Sequence, residues 1–192
     1  TSALSVSYAL IMATAPALGA WADAHAAKKR LLLTTTVGCV AATAALALAG
    51  PGDVVLALVL VVVSNYFFGS GETLVAAFLP ELASADGLGR VSGWGWALGY
   101  VGGLVSLALS LGWLAWAEAH GVANEAAVPV TLVITALLFA TASLPTFLLL
   151  RERAAPRGGP VARRALAGAL ARLRQGLRDT GHYVDMRRFL VC

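Results

Sequence analysis

One carboxylate interrupts residues 54–80, a stretch that is otherwise uncharged and long enough to cross a membrane. A charged side chain at that depth costs roughly 2.5–3.5 kcal/mol on insertion scales, so we expect Glu72 to face a cavity or a polar partner. Three small or polar residues share its helical face at spacings of three or four: Asn65, Gly69 and Ala76. The pattern predicts a water-filled path in which Glu72 carries a proton or balances a cation. A structural hydrogen bond to a neighbouring helix is the alternative interpretation.

A short charged segment provides the second candidate site. It begins at Gly19 and contains Asp23, followed by three consecutive cations at residues 28–30: Lys28, Lys29 and Arg30. Asp23 follows an apolar helix, whose C-terminal dipole disfavours an anion, so we expect it to meet the positive N-terminus of another helix. Arg90 stands in an equivalent position after the third apolar stretch. A role in membrane topology alone would also explain the cations.

The sequence carries no pattern typical of an enzyme or a metal site. Its three histidines lie in connecting segments without a second ligand at metal spacing, and Cys39 and Cys192 suggest no disulfide framework. Ser70 lies within Gly-Ser-Gly, but no apolar stretch contains a histidine that would activate it. We therefore expect no enzymatic activity, no cofactor and no bound metal.

Composition indicates which elements position these residues. The chain of 192 residues is 59% hydrophobic and only 12% charged, too few charges for the surface of a soluble domain. We predict an all-α bundle of five membrane spans at 3–21, 31–50, 54–80, 91–117 and 128–150. The net charge of +4 comes from cations beside the spans, which favours membrane lipids over nucleic acid as partners.

The cations also predict orientation. Every Lys and Arg falls at residues 22–30, 81–90 or beyond 150, in alternate connections, and such residues stay cytoplasmic during insertion. We expect residues 151–186 to form a cytoplasmic basic amphipathic segment and residues 187–192 to begin another span. Such a layout is typical of a fragment that lacks an upstream helix and a C-terminal half.

Four glycines of the fourth span form a stripe of small residues. They are Gly95, Gly99, Gly102 and Gly103. Glycines at this spacing let two helix backbones approach closely in lipid, so we predict that the stripe packs against another helix. The alternative is a smooth surface along which one helix slides during gating.

Two sets of motifs resemble known transporters. The segment from Gly19 to Leu31, with Asp23 and Lys28 in register, resembles the loop signature of the major facilitator superfamily. Residues 77–82 (Ala-Phe-Leu-Pro-Glu-Leu) and residues 89–103, which contain Gly-Trp-Ala-Leu-Gly-Tyr, resemble its vacuolar amino-acid effluxer branch more specifically.

The resemblance implies the N-terminal half of a twelve-helix secondary carrier, covering helices two to six and the central loop. It implies alternating access around a midplane site, with a small-molecule substrate, neutral amino acids being the expected class. We expect a bacterial cytoplasmic membrane, or a vacuolar or endomembrane location in a eukaryote. The gate would contain Gly19, Asp23, residues 28–30 and Arg90. A non-transporting scaffold or regulatory half-transporter is the alternative function.

Overall fold

The computed structural model describes residues 2–50, 52–82, 87–150 and 168. Five helices form this part of the chain, which contains no strand: α1 (Ser2–His25), α2 (Lys28–Leu46), α3 (Val54–Leu82), α4 (Leu88–Ala119) and α5 (Asn124–Leu149). All five are long and apolar enough to cross a membrane. The expected all-α, multi-pass fold is confirmed. The predicted segments 151–186 and 187–192 lie outside the described residues, except Gly168.

The helix ends differ from the ends of the apolar stretches that hydropathy delimits: α2, α4 and α5 begin earlier, whereas α2 ends at Leu46 and not at residue 50. α2 begins at Lys28, so the three cations at residues 28–30 form its first turn, and α4 begins at Leu88, before Arg90. Only two residues, Ala26 and Ala27, separate α1 from α2. Lys and Arg are good helix formers, so the helical backbone continues through charges that end an apolar stretch.

Neighbouring helices follow an order that differs from their order in the chain. α3 lies between α1 and α2 and packs on both, α5 packs on α2, and α4 packs mainly on α5. α1 scarcely touches α2, and α3 scarcely touches α4. α3 is therefore the helix that joins α1 to the others.

A buried hydrophobic cluster lies at one end of the bundle, which we call the basic end. There Ala22, Leu32, Leu74 and Phe78 form a buried cluster, ringed by three partly buried residues: Leu31, Phe147 and Leu150. These residues bring the C-terminal ends of α1, α3 and α5 against the start of α2. Most large hydrophobic side chains elsewhere are exposed, as expected for surfaces that face lipid.

Close backbone approach occurs where α2 and α1 cross α3. A Cβ atom at Gly38 of α2 would lie 2.7 Å from the ring of Phe67, and one at Gly69 of α3 would lie 2.5 Å from Cδ1 of Ile11. Each glycine leaves room for a side chain of the helix that it faces. Glycines therefore set the spacing of α1 and α2 from α3.

Candidate functional site

The middle of α3 carries a run of polar side chains, which we call the polar layer: Ser64, Asn65, Tyr66, Ser70 and Glu72. Phe68 is the midpoint of this 29-residue helix. At ~1.5 Å per residue, Asn65 lies about 4.5 Å before the midpoint and Glu72 about 6 Å beyond it. A hydrocarbon core of about 30 Å extends ~15 Å to either side, so the whole layer lies at membrane depth.

Asn65 and Gly69 face α1. The Asn65 side-chain amide donates a hydrogen bond to Ser7 Oγ at 2.5 Å, and the fully buried Ser7 hydroxyl donates to the carbonyl of Leu4 at 2.8 Å. One turn along α3, Gly69 makes room for Ile11. Two of the three predicted path residues thus lie where α1 meets α3, and their assignment to a path stays a prediction.

Other members of the polar layer bond α3 to both neighbours. The Tyr66 hydroxyl donates to Thr14 Oγ1 on α1 at 3.2 Å. On the opposite side, the hydroxyls of Ser64 and Thr43 lie 2.8 Å apart, which ties α3 to α2. Hydrogen bonds of this kind favour helix association in lipid, where a polar group has no water to replace its partner. α3 is therefore held by side-chain hydrogen bonds on two sides near the membrane midplane.

Glu72 differs from the rest of the layer because its side chain is exposed. The described part of the chain gives it no hydrogen bond and no ion pair, so the structural bond to a neighbouring helix is not found there. Ser70 is only 2% exposed, and its hydroxyl also has no partner among the described residues. The polar layer therefore presents an available carboxylate beside a well-packed contact with α1. Its role in a path stays a prediction.

Asp23 and Lys28 form an ion pair at the basic end. Lys28 Nζ lies 2.9 Å from Asp23 Oδ1 and 3.4 Å from the carbonyl of Ala77, and it stands 5.9 Å from the ring centroid of Phe78. The Lys28 side chain is 9% exposed, whereas that of Asp23 is 59% exposed. Since Lys28 is the first residue of α2, Asp23 lies at that helix's N-terminal end.

Lys29 contacts a different helix. Its Nζ donates to the carbonyl of Leu150, directly after α5, at 2.6 Å. Adjacent lysines of α2 therefore bind the C-terminal parts of α3 and α5. Arg30 and Arg90 are exposed, and no described residue lies within 4 Å of a Cβ built at Gly19. The structure thus brings Asp23 and Lys28 together, and the described residues show no contact that joins Gly19, Arg30 or Arg90 to this pair.

The glycine stripe of α4 is open. Nothing among the described residues lies within 4 Å of a Cβ built at any of its four glycines: Gly95, Gly99, Gly102 and Gly103. Within α4 only Ala117, near the C-terminal end, is buried by the described residues. The predicted helix packing therefore requires a helix outside the described residues and stays a prediction.

Sequence reasoning did not identify the partners of the polar layer. Ser7 and Thr14 of α1 and Thr43 of α2 are hydroxyl residues within apolar spans. Their presence signals a possible interhelical bond, but the helix rotation that pairs each with a residue of α3 is not encoded in spacing alone. The sequence feature that indicates these partners is a small polar residue inside a span.

Comparison with protein families identifies the chain. Residues 1–89 and 88–192 both match the family described as vacuole effluxer Atg22 like. The chain belongs to this family. The resemblance carried by residues 77–82 and 89–103 is therefore confirmed. Searches of curated proteins and of solved structures found no match.

Membership of the Atg22-like family assigns a general function. It is a family of membrane transporters, so the chain is a multi-pass membrane protein of a transporter family. The sequence offered no catalytic pattern, which is consistent with a transporter. The polar layer and the basic end carry the polar and charged contacts between the described helices, and their part in transport stays a prediction.

Proposed function

We propose that this protein is a secondary carrier that moves small solutes, specifically neutral amino acids, across a membrane by alternating access. The observation that carries the proposal is the exposed Glu72 carboxylate in the polar layer, two helical turns beyond Asn65. Secondary carriers bind substrate near the bilayer midplane, between two bundles that rock against each other. Placing an ionisable side chain at that depth of the bilayer costs free energy, so such a residue is a candidate for function.

The Glu72 carboxylate suits the ammonium group of an amino acid, and Asn65, about 10.5 Å before it along α3, suits a second hydrogen-bond donor of the bound solute or its water. The Asn65 amide nitrogen is held by Ser7, which leaves the carbonyl oxygen of that side chain to accept a hydrogen bond. The Glu72 carboxylate lies seven residues further along the same helical face and supplies the negative charge. When no substrate is bound, a proton on Glu72 neutralises it. Because Glu72 binds either a proton or the substrate, it couples proton movement to transport, whereas Asn65 binds only the substrate.

The remaining parts of the carrier follow from the same proposal. A C-terminal half of the same polypeptide would supply the second bundle and complete the midplane site, with lipids around both. The basic end faces the cytoplasm, because Lys28, Lys29, Arg30 and Arg90 gather there and positive residues are retained on that side. The protein then belongs in a bacterial cytoplasmic membrane, or in a vacuolar or endomembrane of a eukaryote.

Exchange by the intact protein in liposomes tests the proposal. Vesicles loaded with unlabelled leucine should accumulate labelled leucine, and a pH gradient should change the rate. Glu72→Gln should abolish the effect of the gradient, because the amide cannot carry a proton. Glu125→Gln, which alters an acidic residue in the first turn of α5, is the matched control and should behave as wild type.

Two results would count against the proposal. If folded wild-type protein exchanged no neutral amino acid, with or without a gradient, the substrate class would be wrong and a scaffold role would lead. If Glu72→Gln kept both the rate and its pH dependence, the coupling role of Glu72 would be wrong.

A further inference from the structure

Two aromatic rings join a pair of helices that otherwise scarcely touch. α3 and α5 both pack on α2, but they have hardly any contact with each other. The rings of Phe68 on α3 and Phe139 on α5 nevertheless meet, with centroids 6.0 Å apart and planes inclined by 53°. This separation is typical of interacting aromatic side chains. We call these two residues the aromatic pair.

The aromatic pair lies beside the Glu72 carboxylate. Phe68 and Glu72 are four residues apart on α3, a spacing that places two Cβ atoms about 5–6 Å apart on one face of a helix. Both side chains are exposed, that of Phe68 by 45%. Val75, one turn beyond Glu72 along the helix, is also exposed. This face of α3 therefore combines one acid with apolar side chains, and the described helices leave it open.

The second ring lies at nearly the depth of the carboxylate. Residue 139 is just past the midpoint of α5 (Asn124–Leu149), about 4 Å toward its C-terminal end. Phe68 is the midpoint of α3, and Glu72 lies about 6 Å beyond it. Since α3 and α5 both end at the basic end, Phe139 falls between Phe68 and Glu72 in depth. The acid and both rings thus lie in one thin layer near the membrane midplane.

The basic side chains of the described helices lie away from this layer. All of them are at the basic end: Lys28, Lys29, Arg30 and Arg90. Lys28 is already paired with Asp23 there. The described part of the chain therefore places apolar groups beside Glu72 and no basic side chain at its depth. A carboxylate next to two aromatic rings complements a ligand that carries a positive charge on an apolar body.

We propose that Glu72 and the aromatic pair bind organic ammonium ions that carry an apolar group, whether or not the ion also carries a carboxylate. The ammonium group donates hydrogen bonds to Glu72, and its charge is attracted to the face of the neighbouring Phe68 ring. The apolar group of the ligand lies against the rings of Phe68 and Phe139. The inference goes beyond the proposed function, because it extends the ligands from amino acids to amines and gives α5 a part in the site.

Binding of labelled 2-phenylethylamine to the purified intact protein tests the inference. This amine is a cation at neutral pH, and it has the ring and the ammonium group of phenylalanine without the carboxylate. The wild type should bind it saturably. Ethylamine, which lacks the ring, should compete roughly tenfold or more weakly than unlabelled 2-phenylethylamine, because it buries much less apolar surface.

Substitutions in the site should weaken this binding by different amounts. Glu72→Gln removes hydrogen bonds to a charged acceptor, so the affinity should fall roughly 10- to 100-fold. Phe68→Ala and Phe139→Ala each remove one ring, so each should lower the affinity roughly 2- to 10-fold. Loss of a ring should also narrow the difference between 2-phenylethylamine and ethylamine, whereas Glu72→Gln should weaken both amines.

Three further variants separate binding from folding. Glu72→Asp keeps the charge and Phe68→Tyr keeps a ring, so each should bind more tightly than Glu72→Gln and Phe68→Ala, respectively. Leu137→Ala is the matched control, because it truncates an exposed apolar side chain of α5 outside the aromatic pair, and it should bind as wild type.

Several results would overturn the inference. They are the absence of saturable amine binding by the wild type, wild-type affinity in Glu72→Gln, and wild-type affinity in both Phe68→Ala and Phe139→Ala. Amine binding with the expected losses, but without exchange of any amino acid, would overturn the proposed function and leave this inference standing. Amino-acid exchange by a protein that binds no 2-phenylethylamine would have the opposite meaning.

Discussion

The contact between Gly38 and Phe67 yields a quantitative prediction about helix packing. A Cβ at Gly38 would lie 2.7, 2.8 and 2.9 Å from three atoms of the Phe67 ring: Cδ2, Cε2 and Cγ. One of these atoms is Cγ, next to the α3 backbone, so the ring cannot clear the Cβ by moving its far edge alone. Gly38→Ala therefore forces α2 and α3 apart or strains the Phe67 rotamer.

The magnitude follows from two opposing contributions. Overpacking of a well-packed contact costs about 1–3 kcal/mol. Replacing glycine by alanine inside a helix gains roughly 0.8–1.0 kcal/mol from helix propensity. Gly112→Ala on α4 is the matched control, because nothing among the described residues lies within 4 Å of its Cβ and only the gain applies. The free energies of unfolding of the two variants should therefore differ by about 1–3 kcal/mol.

Unfolding of the intact protein by SDS in mixed micelles, followed by tryptophan fluorescence, measures this difference. Phe67→Leu should partly restore the stability of Gly38→Ala, because a smaller side chain makes room for the Cβ. Equal stability of Gly38→Ala and Gly112→Ala would refute the reasoning, since it would mean that α2 and α3 are not in contact at this point.

Three other predictions use the same unfolding assay. A double-mutant cycle of Ser7→Ala and Asn65→Ala should give a coupling of about 0.6–1.7 kcal/mol, and zero coupling would exclude the hydrogen bond. Ala26→Gly should stabilise by about 0.5–1 kcal/mol, because Ala26 has φ +46°, whereas Gly121→Ala, at φ +71°, should destabilise similarly. Gly99→Ala should destabilise by about 1–3 kcal/mol if the stripe packs against another helix, and a stabilised protein would show that Gly99 faces lipid.

The sequence predicts the five helices well because membrane insertion depends on local composition. A continuous apolar stretch must become a helix to satisfy its backbone, whatever surrounds it. The helix ends are less predictable, as the first turn of α2 shows. Residues 28–30 are charged and therefore lie outside the apolar stretch, yet they form the first turn of α2. Lys28 and Lys29 contact the C-terminal parts of α3 and α5.

The contacts inside the bundle were harder to predict. The spacing of the glycines in α4, such as Gly99, predicted close packing with another helix. Among the described residues, however, the closest approaches between helices occur at Gly38 and Gly69. Spacing places residues on a common face, but the direction of that face depends on how each helix is rotated in the bundle. The depth of Glu72 in its span could be derived from the sequence, whereas the bond from Asn65 to Ser7 depends on that rotation.

The order of helix neighbours has a consequence for biosynthesis. α1, α2 and α3 can pack on one another once the third helix has entered the membrane, because α3 contacts both of its predecessors. α4 emerges next and has scarcely any contact with α3, so its main partner within the described chain is still unsynthesised. α4 therefore remains in lipid without its main partner until α5 is inserted and packs on α2. Between the fourth and fifth insertions, α4 therefore exposes the surface that it later packs against α5.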